Sequence, residues 1–282
     1  MEEVTFAVDA TALYAVYRRP SRKPAAAVLL VHGFNSNVQE FGHLQERLAD
    51  AGIASLAFDQ RGFGGSGGPP GRTSATRSFQ DIQAAAAQLQ ARAPGVPLGV
   101  VGHSLGGAWS LHALVQGMPF RAAVVAHAPD RILGDLDVAR STLLRLLGPA
   151  STRNEARGRP PKLMHYKSRA DYLFVSREHQ RKWARPDVLI RPMNLANVHD
   201  FAHTQSSEWA SQVHVPVLTV VSEPDKVVRR ASTMKVHEAL PGPKRLLEHR
   251  GGHACFRDLD GDVINAAIVD WFTRHLGGAA PP

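Results

Sequence analysis

Scarcity sets the first boundaries on this chain. A single cysteine, Cys255, stands among 282 residues. That count excludes an internal disulfide and a thiolate-cluster metal site, and it makes a reducing, cytoplasmic setting the expectation. The longest early apolar run covers only residues 25–31, far short of the ~20 residues of a membrane-spanning helix. The opening Met1-Glu-Glu-Val is acidic, without the basic-then-apolar order of a secretory leader, so no targeting segment and no integral membrane segment are expected. Aromatic residues are sparse at 7%, yet hydrophobic residues reach 44% against 21% charged. Such a chain is too apolar for disorder and long enough for one large domain or a core carrying an insertion.

Acidic residues are outnumbered, and the deficit is local. Between positions 131 and 191, 14 Lys and Arg stand against 6 Asp and Glu, so this segment holds the whole net charge of +8. A basic face can steer anions toward one side of the molecule; a solvated arginine-rich surface is the plainer account. No nucleic-acid reading motif accompanies the charge, so nucleic acid is not an expected partner.

What is present is alternation. Short apolar, β-branched runs at 26–32, 53–58, 98–102 and 122–127 alternate with helical periodicity at 39–51, 78–91 and 105–116, the pattern of βαβ units in a mostly parallel sheet. Ser78 and Asp81 have the spacing of a capping box at the start of the second helix. From 131 to 211 the β-type runs stop and basic, proline-broken helical patches (141–147, 168–182) take over. This reads as an inserted helical cap between core segments 1–130 and 212–282. Alternation resumes with strands at 215–221 and 245–249 and helices at 230–240 and 263–276.

The chemistry-bearing stretch is Gly102-His-Ser104-Leu-Gly106. It satisfies G-x-S-x-G at a strand-to-helix junction, where glycines two residues either side keep side chains from colliding with neighbouring backbone. A serine hydroxyl needs a base and an orienting acid. Asp225 follows one later strand and His253 the next, giving the order Ser, Asp, His.

With His32-Gly33-Phe34 after the first core strand and Asp59-Gln-Arg-Gly-Phe-Gly-Gly-Ser66 after the next, the chain resembles the α/β-hydrolase superfamily, in its monoacylglycerol-lipase, lysophospholipase and serine-aminopeptidase-like branch, over residues 25–130 and 212–276. The resemblance implies an α/β fold, a doubly wound, mostly parallel sheet. It implies Ser104 as nucleophile, His253 as general base, Asp225 as the acid, and an oxyanion hole from the N–H groups of Phe34 and Leu105. It further implies ester hydrolysis through an acyl-serine, with no metal and no organic cofactor. A thioesterase or acyltransferase would use the same triad, a cofactor-free perhydrolase or haloperoxidase is a more distant reading, and a noncatalytic ligand-binding protein would be expected to lack a triad member. The chain departs from the family at Ser222, where a glycine is usual.

Other residues have alternative readings. Glu223 and Asp130 are competing candidates for the acid. His103 and His32 read as structural, and Asp59 and Arg61 as braces of the glycine loop. His199 and His203 share a helix face at i, i+4 but lack a third ligand for zinc. The glycine loop at 62–71 lacks the Gly-Lys-Ser/Thr ending of a phosphate cradle. Tyr166, Tyr172, Phe174, Trp183 and Trp209 could line an acyl pocket or simply pack, and Cys255 reads as a small buried hydrophobe. Oligomeric state leaves no mark in the sequence.

Overall fold

The computed structural model describes residues 1–132, 149–160, 162–167, 170–183 and 190–277. Strands β3 (Ala26–Val31), β4 (Ile53–Phe58) and β5 (Leu98–His103) are buried at every position. Continuous apolar runs of this kind suit strands covered on both faces. With β6 (Phe120–Ala126), β9 (Val217–Ser222) and β10 (Lys244–His249) they form a parallel array. Two further strands, β1 (Glu2–Val8) and β2 (Thr11–Arg18), make an antiparallel hairpin, and β2 pairs antiparallel to β4. The eight-stranded order is β1-β2-β4-β3-β5-β6-β9-β10, the mostly parallel, doubly wound sheet that the resemblance implies. The hairpin is absent from the sequence reading, although Val4, Phe6 and Val8 alternate inward along β1.

Helices cover both faces and divide the core in two. On one side α1 (Gly42–Asp50) and the C-terminal helix α9 (Gly261–Leu276) bury Phe41, Leu44, Ile268 and Phe272 against β3, β5 and β6. On the other, α2 (Ala75–Arg92), α3 (Leu105–Val115) and α8 (Arg230–Ala239) bury Ile82, Leu89, Trp109 and Val236. The start of α2 corrects one expectation: its cap is Ser74, whose side chain accepts from the Arg77 N–H, a turn earlier than Ser78. Ser78 and Asp81 lie inside the helix and face inward, because Asp81 is taken by Arg61, at 2.6 Å.

Between β6 and β9 the described residues include a helical run over 149–156 and the short helices α4 (Ala170–Leu173), α5 (Arg177–Trp183), α6 (Asn197–Ala202) and α7 (Ser206–Ala210). They also include an antiparallel pair, β7 (Leu163–Lys167) with β8 (Ile190–Asn194). The segment is therefore not purely helical. Met, Tyr and Ile at these positions pair as readily in strands as in helices, and the proline breaks concealed the ladder. The helical patch expected at 141–147 lies outside the described residues. Among the described residues no helix is long and apolar enough to cross a membrane.

Candidate active site

Because β3, β5, β6, β9 and β10 run parallel, their C-terminal ends share one edge of the sheet, where clefts form in open α/β folds. All three members of the expected Ser-Asp-His set stand on this edge. Ser104 follows β5 and precedes α3 with φ 53° and ψ −121°, a backbone conformation that costs a non-glycine residue of order 1–3 kcal/mol. Its N–H is tied to Ala126 O of β6 at 2.7 Å. The flanking glycines are required sterically: a Cβ on Gly102 would overlap α3 at Gly106 O and Ser110 Oγ, and one on Gly106 would overlap the carbonyls of Val31 at the end of β3 and of His32 just after it.

Asp225 lies beyond β9 and His253 beyond β10. His253 Nδ1 donates to Asp225 Oδ2 at 2.7 Å, while Asp225 Oδ1 accepts the N–H groups of Val227 at 2.7 Å and Val228 at 3.0 Å. Holding the proton on Nδ1 leaves His253 Nε2 bare, the form a general base needs. Burial disfavours the Asp225 carboxylate, but His253 and His127 hold it well below the usual carboxylate range. Burial pushes the His253 imidazole down; Asp225 opposes this, and the neighbouring His103 and His127 add to it.

Gly33 and Phe34 close over the elbow. A Cβ on Gly33 would stand 3.1 Å from Ser104 Cβ and 3.2 Å from His103 Nδ1. The Phe34 ring packs edge-on against Phe63 at 5.5 Å and Phe201 of α6 at 5.9 Å. Leu105 opens α3, and first-turn N–H groups have no intrahelical acceptor.

The remaining candidates separate. Glu223 is exposed and pairs with Arg230. Asp130 is buried but serves α7, its Oδ1 taking the Ser207 N–H and its carbonyl the Ser206 N–H. Asp59 braces the glycine loop, accepting from Val38 N and Gly65 N at 2.7 Å each. Arg61 is pinned to Asp81. His32 Nε2 accepts the Gln60 N–H at 3.0 Å, joining the loops after β3 and β4. His199 and His203 are exposed with their rings 4.9 Å apart. Trp209 packs on His112 and Trp109, Phe174 is buried and Tyr172 is exposed. The Tyr166 and Trp183 side chains lie outside the described residues.

Sequence reasoning read one residue here as structural, His103, and passed over its partner Glu40 and two further histidines. His103, buried beside Ser104, forms an ion pair through Nδ1 with Glu40, and its Nε2 donates to His253 O at 2.8 Å. With Nε2 hydrogen-bonded to a carbonyl and Nδ1 against a carboxylate, the surroundings favour the imidazolium. Burial opposes that charge, yet Glu40 raises His103 well above its ordinary value, and His103 holds buried Glu40 down at about 2. His127, at the end of β6, and His249, at the end of β10, are the other two. His127 Nδ1 meets Asp225 Oδ2, and the two histidines face each other through Nε2 at 2.7 Å. The available signal was positional: each of these histidines closes a parallel strand or follows it immediately. Cys255 is fully buried next to His103 and His127. Among the described residues, His127, His249 and Cys255, and likewise His127, Asp225 and His253, present ligand atoms within 4.8 Å of one another.

A protein-family model described as Serine aminopeptidase, S33 matches residues 22–260. Monoglyceride lipase of Saccharomyces cerevisiae is 35% identical over 94 residues, 32% of this chain and 30% of that protein. An uncharacterized abhydrolase domain-containing protein of Dictyostelium discoideum is 39% identical over 94 residues, 33% of this chain and 10% of that protein. The chain thus spans a minor part of the length of these curated relatives. The crystal structure of a soluble variant of the yeast monoglyceride lipase with a substrate analog superposes with a TM-score of 0.83, at 17% identity, over 99% of this chain and 96% of that one. That likeness establishes the fold, an α/β-hydrolase, and the match over residues 22–260 establishes that the chain belongs to the serine aminopeptidase S33 family.

Proposed function

We propose that the protein is a serine hydrolase that cleaves carboxylic esters, lipase- or esterase-like, through an acyl-serine intermediate. One observation carries the reading: Ser104 sits on a strained elbow at the sheet edge where the Asp225–His253 hydrogen bond leaves His253 Nε2 bare. Relatives named monoglyceride lipase support the ester class. His253 Nε2 takes the Ser104 proton as Oγ attacks the ester carbonyl. The N–H groups of Phe34 and Leu105 stabilise the oxyanion, an effect worth about 3–4 kcal/mol per donor. His253 then protonates the leaving alcohol, and water, activated by the same nitrogen, releases the acid.

Residues 131–211 act in this reading as a cap over a core of 1–130 and 212–282, with Phe34 and Phe201 meeting at their boundary. The basic balance of 131–191 favours esters bearing a carboxylate or phosphate; kcat/KM for such an ester should exceed that of its neutral isostere and fall with salt. A lone buried thiol suits a cytoplasmic setting. The test is a series of p-nitrophenyl esters and thioesters of increasing chain length on the natural protein and on Ser104→Ala. Loss of turnover in the variant is expected, equal activity overturns the nucleophile, and preference for thioesters overturns the ester class.

A further inference from the structure

The triad leaves His127 and His249 unused, yet both are buried against it. Asp225 Oδ2 accepts from two imidazoles, His253 Nδ1 at 2.7 Å and His127 Nδ1, while Oδ1 is occupied by the Val227 and Val228 N–H groups. Four donors saturate the carboxylate. Behind His127 the chain of bonds continues, for His127 Nε2 lies 2.7 Å from His249 Nε2, and His249 Nδ1 accepts the Gly251 N–H at 3.0 Å.

Proton positions follow from this fixed backbone donor. Because Gly251 N–H occupies Nδ1, neutral His249 carries its proton on Nε2 and donates it to His127 Nε2. His127 then carries its proton on Nδ1 and donates it to Asp225. Burial disfavours a His127 cation, and the Asp225 hydrogen bond favours one. The bonded chain nonetheless has no place for that extra proton, since it would set N–H against N–H at His249. Burial pushes His249 itself down to about 4. The same proton on His249 Nε2 fills the space between the two rings that a metal bound there with Cys255 would need. His127 also holds φ 52°, a strained conformation for a non-glycine residue, matching Ser104 on the adjacent strand end.

We propose that His127, oriented by His249, is a positioning residue that shares Asp225 Oδ2 with His253, fixing the carboxylate and limiting its pull on the general base. This rests on the triad reading above. The titratable groups facing His127 are His103 from β5, Asp225 after β9, and His249, His253 and Cys255 from β10 and its following loop; Asp258 and Asp260 act on it through His249. Removing His127 leaves Oδ2 to His253 alone, so the imidazolium is better stabilised and the base titrates higher.

The experiment compares pH profiles of kcat/KM for a p-nitrophenyl ester in the natural protein, His127→Ala, His127→Gln, His249→Ala and the double alanine variant, with melting temperatures alongside. His127→Ala is expected to lose about tenfold in kcat/KM, the scale of one hydrogen bond to a charged group, and to move the acidic limb up by about half a unit. His127→Gln, whose amide N–H can replace the imidazole donor, should return both toward natural values. His249→Ala should shift the limb less and add nothing to His127→Ala, because it acts through that residue. An unmoved limb in His127→Ala of normal melting temperature overturns the proposal, as does full additivity with His249→Ala. Should His127→Ala fail to fold, the limb in His127→Gln against His249→Ala decides in the same way. Activity surviving in Ser104→Ala would instead sink the triad reading, and this inference with it.

Discussion

Two polar clusters of this molecule, one around Asp225 and one around Arg72, are built differently. Around Asp225, the side-chain partners among the described residues come from the end of a strand in one sheet or the turn after it: His127 and His253 directly and His249 through His127, with His103 alongside. Around Arg72, the partners come from the segment between β6 and β9. Arg72 Nε reaches Glu155 at 2.9 Å and Nη1 reaches Asp200 at 2.7 Å, while Asn197 clasps Gly71 O and Thr73 N. The acids differ most. The Asp225 side chain is 0% exposed, whereas those of Glu155 and Asp200 are 27% and 28% exposed. Parallel strands set the first cluster rigidly, and its disturbance should alter chemistry. The second fastens a loop to an insertion through partly solvated charges, and its disturbance should alter docking.

The sharpest way to break the contrast is Asp225→Asn. It keeps the shape but favours the wrong His253 tautomer and sets an amide NH2 against donors that the carboxylate had accepted, so kcat should fall by about 10⁴-fold and stability by about 1–3 kcal/mol; stopped assays against guanidinium melts would separate the two effects. Next in size is Glu40→Gln, which strands the buried His103 cation and should cost about 3 kcal/mol. Glu40 lies below its ordinary 4.5, so its contribution is present above pH 4.5 and is lost as pH falls toward 2. His103 lies above its ordinary 6.5, so its contribution is present below pH 6.5 and is lost at higher pH. The deficit of the variant should therefore peak between pH 4.5 and 6.5, as denaturant midpoints across pH would reveal.

Arg72→Ala probes the other cluster. About 2 kcal/mol is expected, because its acids are partly screened, with faster proteolysis within residues 131–211 and a KM change exceeding that in kcat. A change in kcat alone would erase the distinction between the clusters. In the natural protein, the acidic limb of kcat/KM should fall below pH 6.5, since His253 must be neutral to act and its proton affinity is lowered. A limb above 6.5 would show that Asp225 outweighs burial and the flanking histidines. The smallest effect belongs to Arg274→Ala, which removes an exposed i, i+4 pair with Asp270 outside both clusters. It should cost under about 0.5 kcal/mol in a chemical melt.

Periodicity, turn chemistry and motif order were enough to read the parallel strands, the elbow at Ser104 and the succession Ser104, Asp225, His253, because each is a local pattern that neighbouring residues impose. The hairpin β1–β2 was equally local, with Val4, Phe6 and Val8 alternating inward in residues 2–8. The β7–β8 pair, the inward turn of Asp81 toward Arg61, and the convergence of His103, His127, His249 and Glu40 were of another kind. Their partners lie between 20 and 150 positions apart in the chain. Only the register of adjacent strands decides which side chains share a buried carboxylate, and register is a property of the assembled sheet.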